Sequence, residues 1–227
     1  MLKVHLSKKI LEFNVKMETS IPSYQFRSPC TVSVSGPTSC GKTHFVKNLI
    51  LNKNSIFEKP PSRVVYFYSI WQDIYNDMRD VQFIKGLPDD LSILTDNNPK
   101  EHLLCILDDL MIYVTDSKQI QDVFIKESHH RNISIIYINQ NMFYQGKFSR
   151  NINLNSMYLV LFKNPRDVKQ ISVLSSQLGL GKLLIEAYKD ALKFKYGYIL
   201  IDLSPQMEHV AMLRTQIFPN QDMIMYS

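Results

Sequence analysis

The chain has 227 residues, 45% of them hydrophobic and 21% charged, with seven glycines and ten prolines. This suits one α/β domain with a sizeable core and excludes collagen-like and glycine-rich linker compositions. The net charge of +5 is uneven: residues 118–195 hold 12 Lys and Arg against 5 Asp and Glu, a net +7 that leaves −2 elsewhere. A basic block of this kind fits a polyanion partner, although a solvated lysine-rich surface would carry the same charge.

In chain order, the first 29 residues predict one or two strands at a sheet edge. Their opening, "MLKVHLSKKILEF", lacks the apolar stretch and small-residue cleavage site of a secretion signal. No apolar run reaches the roughly 18 residues of a membrane span. "TVSVSG" (31–36) is short and β-branched, as a buried strand should be. It runs into "GPTSCGKT" (36–43), the G-x-x-x-x-G-K-T pattern of a phosphate loop. Backbone N–H groups of Gly36, Pro37, Thr38, Ser39, Cys40 and Gly41, proline excepted, can form an anion-binding nest, and a helix start adds its dipole. Lys42 would reach the β- and γ-phosphates of ATP, and the Thr43 hydroxyl would ligate Mg²⁺. "KTHFVKNLILN" follows with Phe45, Leu49 and Ile50 on one helical face. A chance glycine turn would not need strand, loop and helix in that order.

Further β-rich runs are "RVVYFYS" (63–69), "HLLCILDD" (102–109), "ISIIYINQ" (133–140), "MYLVLFK" (157–163) and "YGYILIDL" (196–203). Helices are predicted near 41–53, 71–79, 117–129, 165–178 and 182–193, with connectors at 54–62 and 85–100. The alternation predicts a parallel α/β sheet. Cys40 lies in the phosphate loop and Cys105 in an apolar run; with Cys30 they show no zinc-site spacing, so a reducing compartment and no disulfide framework are expected.

"LLCILDD" (103–109) reads as a buried strand whose end points into a ligand crevice. Asp108 would hold Mg²⁺, directly or through water, and Asp109 would orient or deprotonate the attacking water. Capping of a following helix is the alternative. Gln140, directly after "ISIIYIN", is the candidate that touches both γ-phosphate and water. Arg131, Arg150 and Arg166 are candidates to stabilise charge on the transferred phosphoryl group. His129 and His130, beside Arg131, lack a Cys or catalytic Ser that would make a dyad.

The block "SHHRNISIIYINQNMFYQGKFSRNINLNSMYLVLFKNPRD" (128–167) resembles the FtsK–HerA superfamily of DNA-pumping ATPases. It is most similar to the genome-packaging ATPases of Polinton/Maverick elements and adintoviruses, relatives of the poxvirus packaging ATPase. The resemblance continues in "FIKGLPDDL" (83–91), "LLCILDDLM" (103–111), "YGYILIDLSP" (196–205) and "LRTQIFP" (213–219), and covers most of the chain from about residue 22. It implies an α/β P-loop NTPase of the RecA-like ASCE type, a three-layer sandwich with a mainly parallel sheet. It also implies a homo-oligomeric ring, a hexamer or pentamer, that moves double-stranded DNA into a preformed capsid. Within it, Gln140 matches the glutamine after the fourth core strand, and Arg131 lies where a trans arginine finger is expected. Asp109 stands where cellular DNA pumps usually carry Glu; the shorter carboxylate is usual in viral packaging relatives. No winged-helix or nuclease-like extension is visible, so DNA choice and cleavage would reside elsewhere.

The expectation is one P-loop ATPase domain over 1–227, with an edge segment at 1–29, a core at 30–205 and a C-terminal extension at 206–227. It would work inside a host cell, in nucleus or cytoplasm at a site of virus assembly, with capsid proteins as possible partners and no membrane. A helicase or initiator on the same core would need a strand-separating or origin-binding element, for which little room is left. A nucleotide kinase would need an arginine-rich lid, and none is evident. A degenerate nucleotide-binding capsid module would not keep Lys42, Thr43, Asp108, Asp109 and Gln140 intact.

Overall fold

A computed structural model describes residues 4–5, 24–88, 92–95, 98–110, 128–142, 154–205 and 211–227. The described strands form one ten-stranded sheet: β1 (Val4–His5), β2 (Thr31–Ser35), β3 (Arg63–Tyr68), β4 (Gln82–Lys85), β5 (Leu103–Asp108), β6 (Ile133–Asn139), β7 (Tyr158–Phe162), β8 (Tyr198–Asp202), β9 (Leu213–Thr215) and β10 (Ile224–Tyr226). Their spatial order is β1-β10-β9-β8-β7-β2-β6-β5-β3-β4. From β4 to β7 every pairing is parallel. β8, β9 and β10 each run antiparallel to the strand before them, and β1 closes the edge parallel to β10.

The sheet is buried on both faces, which explains why its central strands read as near-continuous apolar runs. Alternate residues serve opposite layers. Val64 and Tyr66 of β3, Leu104 and Ile106 of β5, and Val32 and Val34 of β2 pack with Phe45, Val46, Leu49 and Ile50 of helix α1 (Lys42–Leu51). Val65, Phe67, Cys105 and Tyr137 lie in a second cluster. Leu159 and Leu161 of β7 and Ile199 and Ile201 of β8 meet helices α4 (Val168–Gln177) and α5 (Leu183–Ala191) in a third. The chain is therefore an α/β three-layer sandwich with a mainly parallel sheet. Among the described residues, no helix is long and apolar enough to cross a membrane.

Several elements differ from expectation. The helix predicted near 71–79 is a 3₁₀ turn, Asp73–Asp77, entered from an extended Gln72; nine residues anchored by two buried side chains, Tyr75 and Met78, give too short a run to nucleate an α-helix. The connector at 54–62 begins inside helix α2 (Lys53–Ile56). The connector at 85–100 contains α3 (Ser92–Thr95), and β4 precedes it as an extra edge strand. Only its two middle residues are even partly covered, so its pattern is weak. β8 is antiparallel because β7 is followed by two helices rather than one, which return the chain to the end of the sheet it left. The predicted helix at 117–129 lies outside the described residues except for a turn at Ser128–His130, as do most of residues 1–29 and the candidate Arg150.

Candidate nucleotide site

The phosphate-loop sequence folds as strand, turn and helix at the carboxyl end of β2, where two neighbouring strands leave a crevice. Gly36 is required by close approach: a Cβ there would lie 2.7 Å from both the Cys40 sulfur and the Phe162 Cβ. Gly41 adopts φ 114°, and a Cβ there would meet the Cβ of Tyr196 at 2.8 Å. Helix α1 starts at Gly41 without a capping side chain or an acid in its first turn. Its first amides are thus left to an anion. The Lys42 ammonium donates to the carbonyls of Gly36 and Pro37, at 2.6 and 2.9 Å, which folds it back over the loop. Burial pushes the Cys40 thiol upward, so it is not a ready nucleophile.

Across the crevice, the last residue of β5, Asp108, is buried. Its Oδ2 accepts hydrogen bonds from the hydroxyls of Tyr66, at 2.6 Å, and Tyr75, at 2.9 Å. Burial raises its carboxyl above the ordinary carboxylate range. The two tyrosine hydrogen bonds oppose that shift, the Asp109 charge adds to it and Lys42 opposes it. Asp109 is exposed and left-handed, with φ 52°. Gln140 donates from Nε2 to Asp109 Oδ2 at 3.0 Å, which leaves the other carboxylate oxygen open to solvent-borne partners. The acid and the amide, 31 residues apart, thus act as one unit.

The structure brings Thr38, Ser39, Gly41, Lys42, Thr43, Asp108, Asp109 and Gln140 into one cleft of about 570 Å³, a size suited to a nucleotide-sized ligand. Arg131 is not among them. It lies just before β6, at the far end of a seven-residue strand that places Gln140 at the crevice, roughly 20 Å along the sheet. Arg166, in a 3₁₀ turn after β7, is at the crevice end of the sheet but exposed and outside the cleft.

Other contributors were not legible beforehand. Asn139 is buried and accepts from the Ser35 hydroxyl at 2.7 Å, while its carbonyl receives the Gly36 N–H at 3.3 Å, so it ties β6 to the loop. Its polar side chain at the end of an apolar strand was the available signal. Gln72 accepts from the Thr43 hydroxyl at 3.4 Å and donates to the Tyr75 hydroxyl at 3.1 Å. A chain of polar contacts therefore links Thr43 to Asp108. His44 and Tyr196 also line the cleft.

The donors offered to a cation are oxygens, one hydroxyl and one carboxylate, which suits Mg²⁺ better than a softer metal. Among the described residues no group of three or more His, Cys, Asp and Glu could hold a metal alone.

No protein-family model and no curated protein matches the chain by sequence. Among solved structures, the fold is similar to that of the DNA-packaging ATPase from Sulfolobus turreted icosahedral virus. The TM-score is 0.52 at 14% identity, over 79% of this chain and 95% of that one. The genome-packaging NTPase from Sulfolobus turreted icosahedral virus 2, in complex with AMP, gives 0.48 at 15% identity, with 79% and 95% covered. A KaiC-like protein from Pyrococcus horikoshii gives 0.42 at 12% identity, with 88% and 91% covered. At 14% identity the first likeness is one of fold, and it agrees with a P-loop NTPase sandwich of RecA-like type.

Proposed function

We propose that the chain is an ATP-hydrolysing motor that translocates double-stranded DNA, and that it packages a viral or virus-like genome into a capsid as a subunit of a homo-oligomeric ring. The observation that carries the hydrolytic part is the Gln140–Asp109 hydrogen bond at 3.0 Å inside the cleft that also holds Lys42 and Thr43. DNA as the cargo is supported by the fold likeness to a viral DNA-packaging ATPase and by the basic half of the chain.

ATP would lay its phosphates on the loop amides and the start of α1. Lys42 would exchange the Gly36 and Pro37 carbonyls for phosphate oxygens. Thr43 and Asp108 would hold Mg²⁺, whose contribution is charge neutralisation on the β- and γ-phosphates. Asp109 would take a proton from the attacking water through its open oxygen, while Gln140 fixes the carboxylate and senses the γ-phosphate.

The test is ATP turnover with and without linear duplex DNA, measured beside the mass in solution. Lys42→Ala should lose ATP binding. Asp109→Asn should bind ATP yet lose about 10²- to 10⁴-fold in turnover, because general-base catalysis acts on rate more than on ground-state affinity. Duplex DNA should raise turnover, and its affinity should fall steeply with salt through counterion release. Normal turnover in Asp109→Asn removes that residue from the mechanism. Indifference to DNA removes the motor.

A further inference from the structure

The cleft has two chemically different ends. Asp108, Asp109 and Gln140 line one, at the ends of β5 and β6; His44 and Tyr196 line the other, Tyr196 just ahead of β8. β2 and its loop run between them, since β5 and β8 are each the second strand from β2, on opposite sides. A triphosphate lying along the loop with its last phosphate toward the acids must carry its nucleoside toward His44 and Tyr196.

That end presents aromatic surface. The rings of His44 and Tyr196 are stacked, with centroids 5.0 Å apart and planes 15° from parallel. His44 is exposed on α1, directly after Thr43. Tyr196 is 46% exposed, so its ring adds little to the core. It nevertheless holds φ 55°, which a bulky residue rarely adopts, and its Cβ and ring edge are pressed against Gly41. A large, half-exposed ring is thus held in an unfavourable backbone conformation beside the phosphate loop. The Lys195 ammonium lies 5.4 Å from the centre of the same ring, an exposed cation–π contact of the kind a flat aromatic ligand can replace.

We propose that the His44–Tyr196 pair is the base platform of the nucleotide site, and that it takes the base of a nucleoside triphosphate by its face rather than by its edge. This rests on the ATPase proposed above. Stacking tolerates either purine, because each offers a similar π-face. ATP and GTP should therefore bind with affinities within a few-fold of each other.

The experiment is equilibrium binding of ATP, GTP and inorganic tripolyphosphate, each with Mg²⁺, to the wild type and to Tyr196→Ala, Tyr196→Phe and His44→Ala. Tyr196→Ala should weaken ATP and GTP by roughly 5- to 150-fold, the range for losing one stacked base. Tripolyphosphate, which has no base, should bind the variant as it binds the wild type, and Tyr196→Phe should bind ATP normally. His44→Ala should show the same base-dependent loss, and it stands in if Tyr196→Ala does not fold. An equal loss of tripolyphosphate in both alanine variants would mean that the rings only prop up the loop, and would overturn the platform. So would unchanged ATP binding, or a wild type that binds tripolyphosphate as tightly as ATP; in that last case the phosphate loop still stands. A wild type that binds neither ligand removes the nucleotide site itself.

Discussion

Asp108 shows how one residue is adjusted by its neighbours. Burial favours its protonated form, while hydroxyls of Tyr66 and Tyr75, both donating to one oxygen, favour the carboxylate. Removing those donors should therefore raise its pKa further. In Tyr66→Phe/Tyr75→Phe, the acid limb of the pH profile of kcat/KM should move to higher pH, and an unmoved limb would mean that Asp108 does not titrate in turnover. The same shift has a consequence for stability. The folded carboxyl holds its proton more tightly than the unfolded one. Stability attributable to Asp108 thus falls as pH rises from the ordinary carboxylate range through the raised folded value, and is level above it. Asp108→Asn should accordingly gain a few degrees in Tm at neutral pH while losing activity, the trade common at functional sites.

At the scale of elements, a buried ion pair ties the antiparallel extension to its surroundings. Asp202 ends β8 and Arg214 lies in β9, at 3.4 Å, with side chains 2% and 8% exposed. Asp202 Oδ1 also accepts from the N–H and hydroxyl of Ser204, Oδ2 accepts from Tyr24, and the Arg214 guanidinium lies 4.8 Å over the Tyr24 ring. One pair thereby joins β8, β9 and the segment that leads into β2. Removing one partner of such a pair leaves the other charge buried, which typically costs about 3–5 kcal/mol, whereas neutral replacement of both partners often costs little. Arg214→Ala should destabilise by about that amount in denaturant unfolding, and Asp202→Asn/Arg214→Met should recover most of the loss. An Arg214→Ala loss below about 1 kcal/mol would place the pair with the weak, solvent-screened class.

For the whole molecule, the question is what completes the site. Arg131 and Gln140 occupy opposite ends of β6, so Arg131 does not reach the cleft of its own chain. If it serves as an arginine finger, it serves a neighbour. Such a finger is typically worth about 10³- to 10⁵-fold in rate. Arg131→Ala should bind ATP normally and hydrolyse it poorly, and mixing it with Lys42→Ala subunits should restore part of the turnover, since those subunits donate Arg131 to intact pockets. Recovery with Arg166→Ala in place of Arg131→Ala would assign the finger to Arg166, at the crevice end of the sheet. Full turnover by a monomer would remove the trans finger altogether.

The sequence by itself determined the parts that depend on neighbouring residues. Gly36 and Gly41 with Lys42 and Thr43 mark the loop because backbone conformation and anion binding are local properties, and the apolar face of Phe45, Leu49 and Ile50 follows from helical periodicity. The six longest described strands were legible because a doubly buried strand reads as a continuous apolar run. Tertiary structure decided the rest. Tyr66 and Tyr75 reach Asp108 across 42 and 33 residues, and Tyr196 reaches Gly41 across about two thirds of the chain, contacts set by strand order rather than by any local pattern. β4 shows no sequence period because an edge strand buries too little, and β8 is antiparallel because two helices separate it from β7. Sequence specifies which groups the site can draw on; the order of the sheet decides which of them meet.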